Sequence, residues 1–333
     1  MKRLTAVVHP LIDIVHTCTP QFLHQHGLTP GSYGLLSKTE QDALIHSCGL
    51  MNAPMSLGGS VANSILCARQ LGIPATLLGL AGEDTFGHHL HHQMRLSDIH
   101  LPLPLVADQR TGTCLSLITP DGERTMRTCL GVATTLAAEH ILESSIASSA
   151  WLVIEGYFLT ASDQNSNALR AAIHTAKKSG TKVAFTASAE FVIQAKRDEI
   201  LEEVLPHSDL LLANAGEAML LAGANSPSSA LENLSTQIPM VVITRGKDGA
   251  LGATTNTTWH TPARTPTSPV VDTTGAGDIF AGAFIAGLMH GLSPEIASRG
   301  ATRLASIIIT RLGSQLPADA RALWDQEISA TAP

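Results

Sequence analysis

Between Ala150 and Thr244 short apolar runs return in turn, each followed by a stretch long enough for a helix. Trp151-Leu152-Val153-Ile154 reads as a strand and Asn165–Ser179 as a helix closed by Gly180. Val183-Ala184-Phe185 and Phe191–Leu205 repeat the pair. Leu210-Leu211-Leu212, a helix opening at Gly216–Leu221, and Val241-Val242-Ile243-Thr244 continue it. Runs that are apolar throughout belong to strands covered on both faces, and intervening helices carry the chain back over a parallel sheet. The alternation therefore demands an α/β body with a mostly parallel central sheet. No fixed-period repeat and no low-complexity segment interrupts it.

The N-terminal half feeds the same body. Leu4 to Val15 is one apolar run holding a single acid, Asp13, and reads as a first, central strand. An acid at a strand end is a common ligand contact in an open α/β sheet; a strand-terminal turn residue is the plainer alternative. Two stretches leave the body. Residues 15–56 are polar and broken by Pro20, Gly27, Pro30 and Gly31, with apolar pieces at Tyr33–Leu36 and Met51–Leu57 around a helix near Thr39–Cys48. Residues 99–130 carry the alternating run Thr113-Cys114-Leu115-Ser116-Leu117-Ile118 and a turn at Pro120-Asp121-Gly122, a strand–turn–strand pattern. Together they suggest a small β lid. The core is then 1–14, 57–98 and 131–325, with 326–333 as a loose tail.

Two glycine-bearing helix starts stand out. Leu57-Gly58-Gly59-Ser60-Val61-Ala62-Asn63 precedes a helix with Val61, Ile65, Leu66, Ala68 and Leu71 at helical spacing, and Asn63 falls in its first turn. Val271-Asp272-Thr273-Thr274-Gly275-Ala276-Gly277-Asp278 runs from an extended segment holding Pro266 and Pro269 into a helix that is apolar on more than one side. A helix N-terminus offers unpaired N–H groups and a partial positive charge, and glycine lets an anion approach them. A carboxylate in that same turn, Asp278, would repel a resting phosphate. It is useful where an alcohol attacks the phosphate and must give up its proton. Helix capping by Asp278 and simple turns at the glycines are the bland alternatives.

The 333-residue chain carries a net charge of −7 and no basic stripe, which argues against a nucleic-acid partner. No apolar run approaches the ~18 residues of a membrane span. Met1-Lys2-Arg3 is followed too soon by His9, Pro10 and Asp13 to read as a signal peptide. Five scattered cysteines show no disulfide framework and fit a reducing cytoplasm. His88, His89, His91 and His92 read as a solvated helix face rather than a metal cluster. A phosphate-cradling Gly-x-x-x-x-Gly-Lys-Ser/Thr run, a dinucleotide fingerprint, the protein-kinase set and a Gly-x-Ser-x-Gly elbow are all absent.

Asp272-Thr273-Thr274-Gly275-Ala276-Gly277-Asp278 resembles the C-terminal signature of the ribokinase-like (PfkB) family of sugar and nucleoside kinases. Gly58-Gly59…Asn63 with Leu71-Gly72 and Gly79…Gly82…Asp84…Gly87 resembles its N-terminal signature, in the right order along the chain. The likeness extends through Thr111-Gly112-Thr113, Asp121-Gly122-Glu123-Arg124-Thr125 and Glu155-Gly156-Tyr157. It implies a three-layer α/β/α fold with a β-sheet lid, and phosphoryl transfer from ATP to an alcohol. Asp278 would be the base, and Gly275, Ala276 and Gly277 the anion hole. Asp13, Gly58, Gly59 and Asn63 would hold the acceptor. Asn214, Thr244, Gly246 and Gly249 would border ATP, with Arg245 or Lys247 as phosphate contacts or plain surface charge. The Asn214-x-x-Glu217 motif reads locally as a capping box; the resemblance associates it with Mg²⁺ through water. Asp272 and Thr274 match the family's position for a monovalent cation such as K⁺. Within the family the Pro10-Leu11-Ile12-Asp13 start and the long first lid segment resemble the bacterial adenosine-kinase-like branch, which implies a nucleoside acceptor. His9 and Arg127 stand where that branch carries asparagine. A sugar kinase acting on ribose, fructose or 2-keto-3-deoxygluconate is the alternative, and a nucleoside-binding regulator without activity a further one. The resemblance implies lid sheets that either pair between subunits into a homodimer or stay alone.

Overall fold

The computed structural model of the chain describes residues 2–50 and 55–330. Nine strands form the central sheet, in the order Thr258–Thr261, Ala250–Thr254, Met240–Thr244, Leu210–Asn214, Lys182–Thr186, Ser149–Glu155, Arg3–Val7, Ala75–Leu78 and Ile99–His100. All neighbours are parallel except the last hairpin, where Ala250–Thr254 is antiparallel to both of its partners. Every strand of the alternating region lies where its apolar run places it. One face is covered by helices Ser60–Gln70, Ala276–Met289 and Pro294–Ile308, with Ile65, Phe284 and Leu304 fully buried. The other is covered by Asp163–Ser179 and its neighbours, around Phe158, Leu169 and Phe185. The result is the α/β/α sandwich anticipated from the alternation.

The apolar run Leu4–Val15 is not one strand. Arg3–Val7 lies in the central sheet, whereas Leu11–Thr17 belongs to a second, five-stranded sheet. Pro10 has no N–H to donate, and the last bond into the main ladder comes from Val8 N to Leu78 O at 3.1 Å. The chain leaves one sheet there and enters the other. Asp13 thus sits inside a lid strand rather than at the end of a core strand.

The lid sheet runs Tyr33–Leu35, Arg124–Cys129, Gly112–Ile118, Leu11–Thr17, Met55–Gly58. The lid therefore begins before residue 15, while Ile99–His100 is an edge strand of the main sheet. The turn expected at Pro120-Asp121-Gly122 joins Gly112–Ile118 to Arg124–Cys129, with Gly122 at φ +84°. Alternation divides the lid into two faces. Ile14, Leu115 and Leu117 pack under helices Pro20–Gln25 and Lys38–Ser47 with Leu23, Leu44 and Ile45. Asp13, Cys114 and Ser116, one residue out of step, face the body. Of the apolar piece Met51–Leu57, residues 51–54 lie outside those described; Met55–Gly58 is the lid's edge strand. The final helix, Ala320–Ser329, buries Trp324 and runs past Asp325, so the loose tail drawn from residue 326 is helical as far as Ser329.

Candidate active site

Two cavities meet beneath the lid. The first, about 230 Å³, is walled by the inner lid face and by Gly59, Ser60, Asn63, Glu155, Tyr157, Phe191 and Asp278. The second, about 190 Å³, opens at the C-terminal ends of strands Lys182–Thr186, Leu210–Asn214 and Met240–Thr244 and includes Asn214, Glu217, Thr244 and Gly277. Ser60, Ser188 and Asp278 line both. Asp278 therefore stands where the two hollows touch.

Both glycine-bearing helix starts build this junction. Gly275 caps helix Ala276–Met289 in the left-handed region, φ +75°, and Asp278 follows in the first turn. Gly59 caps Ser60–Gln70 at φ +97°, where a Cβ would lie 2.5 Å from His9 O. The two helices pack against each other: a Cβ on Gly282 would lie 2.1 Å from Ser64 O, which is why glycine stands there. That close approach brings Ser60 and Asn63 onto Asp278. Ser60 Oγ donates to Asp278 Oδ1 at 2.6 Å and Asn63 Nδ2 donates to Oδ2 at 3.1 Å. Asn63 is itself oriented by Ser314, whose Oγ donates to Asn63 Oδ1 at 2.9 Å. Asp278 is partly open to the cavities yet crowded by protein. That burial pushes its pKa up to about 6, against the lowering pull of Ser60 and Asn63.

Of the expected acceptor-side residues, Asp13, Gly59 and Asn63 line the first cavity. Gly58 pairs with Leu11 in the lid, and a Cβ there would lie 2.1 Å from Asp13 Oδ1, so it clears space for that carboxylate. Burial raises Asp13 to about 7; Arg124 pulls the other way and Asp278 adds to the rise. In the anion loop, Gly277 lines the second cavity and has nothing within 4 Å of where a Cβ would stand. Gly275 supplies the turn, and the N–H of Ala276 reaches back to Thr273 O at 3.3 Å. Of this helix start, Gly277 and Asp278 line the second cavity.

Asn214 and Glu217 form the capping box read from their spacing: Glu217 N donates to Asn214 Oδ1 at 2.9 Å and Asn214 N to Glu217 Oε2 at 2.8 Å. Both also line the second cavity, so capping and site placement coexist. Burial raises the Glu217 pKa, and Glu190 and Asp278 raise it further. Thr186 Oγ1, buried at the floor of that cavity, has no hydrogen-bond partner among the described residues. Thr244 lines the second cavity, whereas Gly246 and Gly249 shape the turn beyond it. A Cβ on Gly249 would lie 2.0 Å from Thr261 O. Arg245 Nη2 donates to Asp248 O at 2.6 Å, within the same turn. Asp272 is buried and paired with Arg124, and Thr274 donates its N–H to Asp272 Oδ1 at 3.0 Å.

The two departures from the asparagine pattern resolve differently. Arg127 faces the outside of the lid, donating to Ser32 O, Ser32 Oγ and Met126 O; its neighbours Met126 and Thr128 face the cavity instead. His9 does border the cavity. It stacks on Phe158 at 4.1 Å, its Nε2 lies 2.8 Å from Asn165 Oδ1, and its N–H donates to Glu155 Oε1 at 3.1 Å. Asn165 Nδ2 already donates to Ala133 O and Leu136 O, so Asn165 Oδ1 accepts and Nε2 carries the proton. Burial lowers the His9 pKa to about 4, which keeps the ring neutral. Burial also raises Glu155, to about 7.

Several site residues take no role from the sequence: Ser60, Arg124 and Tyr157 lie in motifs noted above without a role of their own, and Ser314, Thr186 and the rings Tyr33 and Phe191 carry no local signal. The rings come from three separate elements, with Tyr33 and Phe191 stacked at 5.4 Å and Tyr157 6.0 Å from Phe191. Ser188, at φ +74°, accepts from Gly156 N at 2.9 Å and holds the turn beneath them. His88 and His92 are exposed on helix Thr85–Leu96, away from both cavities.

Known proteins carry the same architecture. Adenosine kinase 1 of Arabidopsis thaliana is 25% identical over 334 residues, covering 94% of this chain and 96% of the relative. Fructokinase of Klebsiella pneumoniae is 28% identical over 250 residues, covering 72% of this chain and 80% of that protein. The crystal structure of adenosine kinase from Sinorhizobium meliloti superposes with a TM-score of 0.90 at 27% identity, covering 98% of this chain and 99% of that one. The model of the pfkB family carbohydrate kinases matches residues 51–321, the span that supplies Ser60, Asn63, Arg124, Glu217 and Asp278. With both signatures folded onto one carboxylate, the chain belongs to the PfkB family of carbohydrate kinases, phosphotransferases whose acceptor is an alcohol.

Proposed function

We propose that this protein transfers the γ-phosphoryl group of ATP to the primary hydroxyl of a ribose-containing nucleoside, with adenosine as the leading acceptor. The carrying observation is the polarity split of the first cavity. Asp13, Asn63 and Asp278 stand with Tyr33, Tyr157 and Phe191 around one hollow, which suits a molecule with a hydroxylated sugar and a flat base. A bare sugar would leave the rings without a partner.

Asp278 takes the proton of the acceptor hydroxyl as the new O–P bond forms and the bond to ADP breaks. Its raised pKa, near 6, leaves it ionised at neutral pH yet a better base than an exposed aspartate. Ser60 and Asn63 hold the carboxylate in line, and the bare helix start at Gly275, Ala276 and Gly277, of which Gly277 lines the second cavity, would take the charge of the transferring group. The second cavity suits the phosphates. Burial raises the Glu217 pKa and the charges of Glu190 and Asp278 add to the rise, while Thr186 Oγ1 has no hydrogen-bond partner among the described residues, so a divalent cation suits this hollow. Among the described residues no three His, Cys, Asp or Glu side chains converge tightly enough to ligate an ion directly. Glu217 and Asn214 would hold Mg²⁺ through its water shell, since magnesium gives up its waters reluctantly. When bound, Mg²⁺ neutralises charge on the phosphates. Five free cysteines suit a reducing cytoplasm, and no described helix is long and apolar enough to cross a membrane.

The test is ADP release from Mg-ATP with adenosine, inosine, guanosine, ribose, fructose and 2-keto-3-deoxygluconate. Nucleoside turnover supports this reading. Turnover of sugars alone would replace it with a sugar kinase, as the similarity to fructokinase allows. No turnover with any of them would favour a binding protein.

A further inference from the structure

The position at which the family resemblance implies a monovalent cation does not suit one here. Asp272 is 4% exposed, and its carboxylate is already served. Oδ1 accepts the Thr274 N–H at 3.0 Å; Oδ2 accepts the Gly313 N–H at 2.9 Å and the guanidinium of Arg124. An ionised carboxylate offers about four acceptor positions, and three are filled by donors. The guanidinium already brings a full positive charge to that carboxylate, so a cation placed beside it would be repelled.

The filling charge comes from the lid. Arg124 opens the strand Arg124–Cys129, directly after the hairpin turn at Gly122, and that turn lies against Val271, with 3.7 Å from a Cβ built on Gly122 to Val271 O. The guanidinium is almost fully buried, its Nε has no hydrogen-bond partner among the described residues, and it also borders the first cavity. The backbone on either side of Asp272 is tied to the body: Val271 N and Asp272 N both donate to Ile309 O. Asp272 therefore joins three pieces, namely the lid hairpin, the start of the anion loop, and the Ile309–Gly313 segment that leads to Ser314.

We propose that Arg124, carried in on the lid, is this chain's built-in substitute for a monovalent cation at Asp272, so that lid closure rather than an ion from solution orders the anion loop. Arg124 is a positioning residue in this scheme: it acts on the helix start at Gly275 through Asp272. A guanidinium makes directional bonds that a spherical ion does not, so the loop's order becomes tied to the lid's position. The kinetic arm of the test rests on the phosphotransferase reading; the stability arm does not.

Thermal unfolding of the full chain is followed in KCl and in choline chloride at equal ionic strength. The native protein is expected to show the same midpoint in both, and turnover that is independent of K⁺. Arg124→Gln should lower the midpoint by roughly 5–10 °C, the shift expected when one member of a buried pair is left alone. KCl should recover part of that loss where choline chloride does not, because K⁺ then has a carboxylate to occupy. Arg124→Lys should keep the native insensitivity. A native midpoint raised saturably by K⁺ over choline would overturn the proposal. So would an Arg124→Gln protein as stable as the native chain, or one that K⁺ leaves unrestored. Should Arg124→Gln fail to fold, the native and Arg124→Lys comparisons decide by the same criterion. Absence of turnover with intact K⁺-insensitive stability would remove the kinase reading and leave the latch standing.

Discussion

Asn63 and Asp278, 215 positions apart, meet at 3.1 Å across the contact of two helix starts. Asn63 is held from behind by Ser314, so the amide can present only its nitrogen to the carboxylate. This fixes the rotation of Asp278, and it ties the base to the same helix that lines the acceptor cavity.

Asp278→Ala is expected to keep the fold and to lose turnover by about 10² to 10⁴, the usual weight of a general base. Single-turnover kinetics on the purified variant, with circular dichroism as the fold control, measures it. Turnover within a few-fold of native would remove Asp278 from the role.

Asp278→Asn should be more stable than the native chain in alkaline solution. A buried carboxyl with a folded pKa near 6, above its ordinary 3.8, favours folding while protonated. That contribution is whole below about 3.8 and is lost as pH rises through about 6. The asparagine suffers no such loss. At pH 8 the gain should be about 1–2 kcal/mol, below the ~3 kcal/mol of a two-unit shift because the cavity admits water. Denaturant melts at pH 8 and pH 4 check it: the gap should close at the lower pH.

Ser60→Ala should move the acid limb of the pH–rate profile upward. Ser60 donates to Asp278 and holds its pKa down, so its removal lets burial act with less opposition. An acid limb that stays in place, or moves to lower pH, contradicts the assignment.

Phe191→Ala should raise the nucleoside KM by about tenfold and leave the ATP KM unchanged. Loss of one aromatic face costs about 1–2 kcal/mol in stacking and burial. Phe191 is 39% exposed at the mouth of the first cavity, so the substitution leaves the core intact. Equal effects on both substrates would count against a base-binding wall.

Arg127→Asn should leave the nucleoside KM within about twofold, because its side chain bonds Ser32 on the outer face of the lid. Its cost should appear as a lower melting temperature, since Ser32 loses donors that tie the first lid segment to the neighbouring strand.

Much of the body was legible in the chain. Val183–Phe185, Leu210–Leu212 and Val241–Thr244 are strands because uninterrupted apolar runs have no solvent face to offer. The glycines before Ser60 and Ala276 marked the two helix starts, since left-handed caps and close helix contacts exclude a Cβ. The spacing of Asn214 and Glu217 foretold their capping box. The division of Leu4–Val15 between two sheets was not legible. Pro10 signals a break in a ladder, but nothing local says which sheet receives the next strand.

Local pattern determines what a residue's own neighbours in sequence decide: periodicity, capping, and where a backbone needs glycine. The chain therefore declared its α/β body, its two glycine-bearing helix starts and the acid that follows the second. Tertiary structure alone decided who meets that acid and its loop. Ser60, Asn63 and Ser314 converge on one side, Arg124 closes on Asp272 on the other, and three rings from separate elements gather opposite. Hydrogen bonds and ion pairs act over a few ångströms in space, whereas these partners lie far apart in the chain, and only the packing of one helix on another and of the lid on the body brings them within reach.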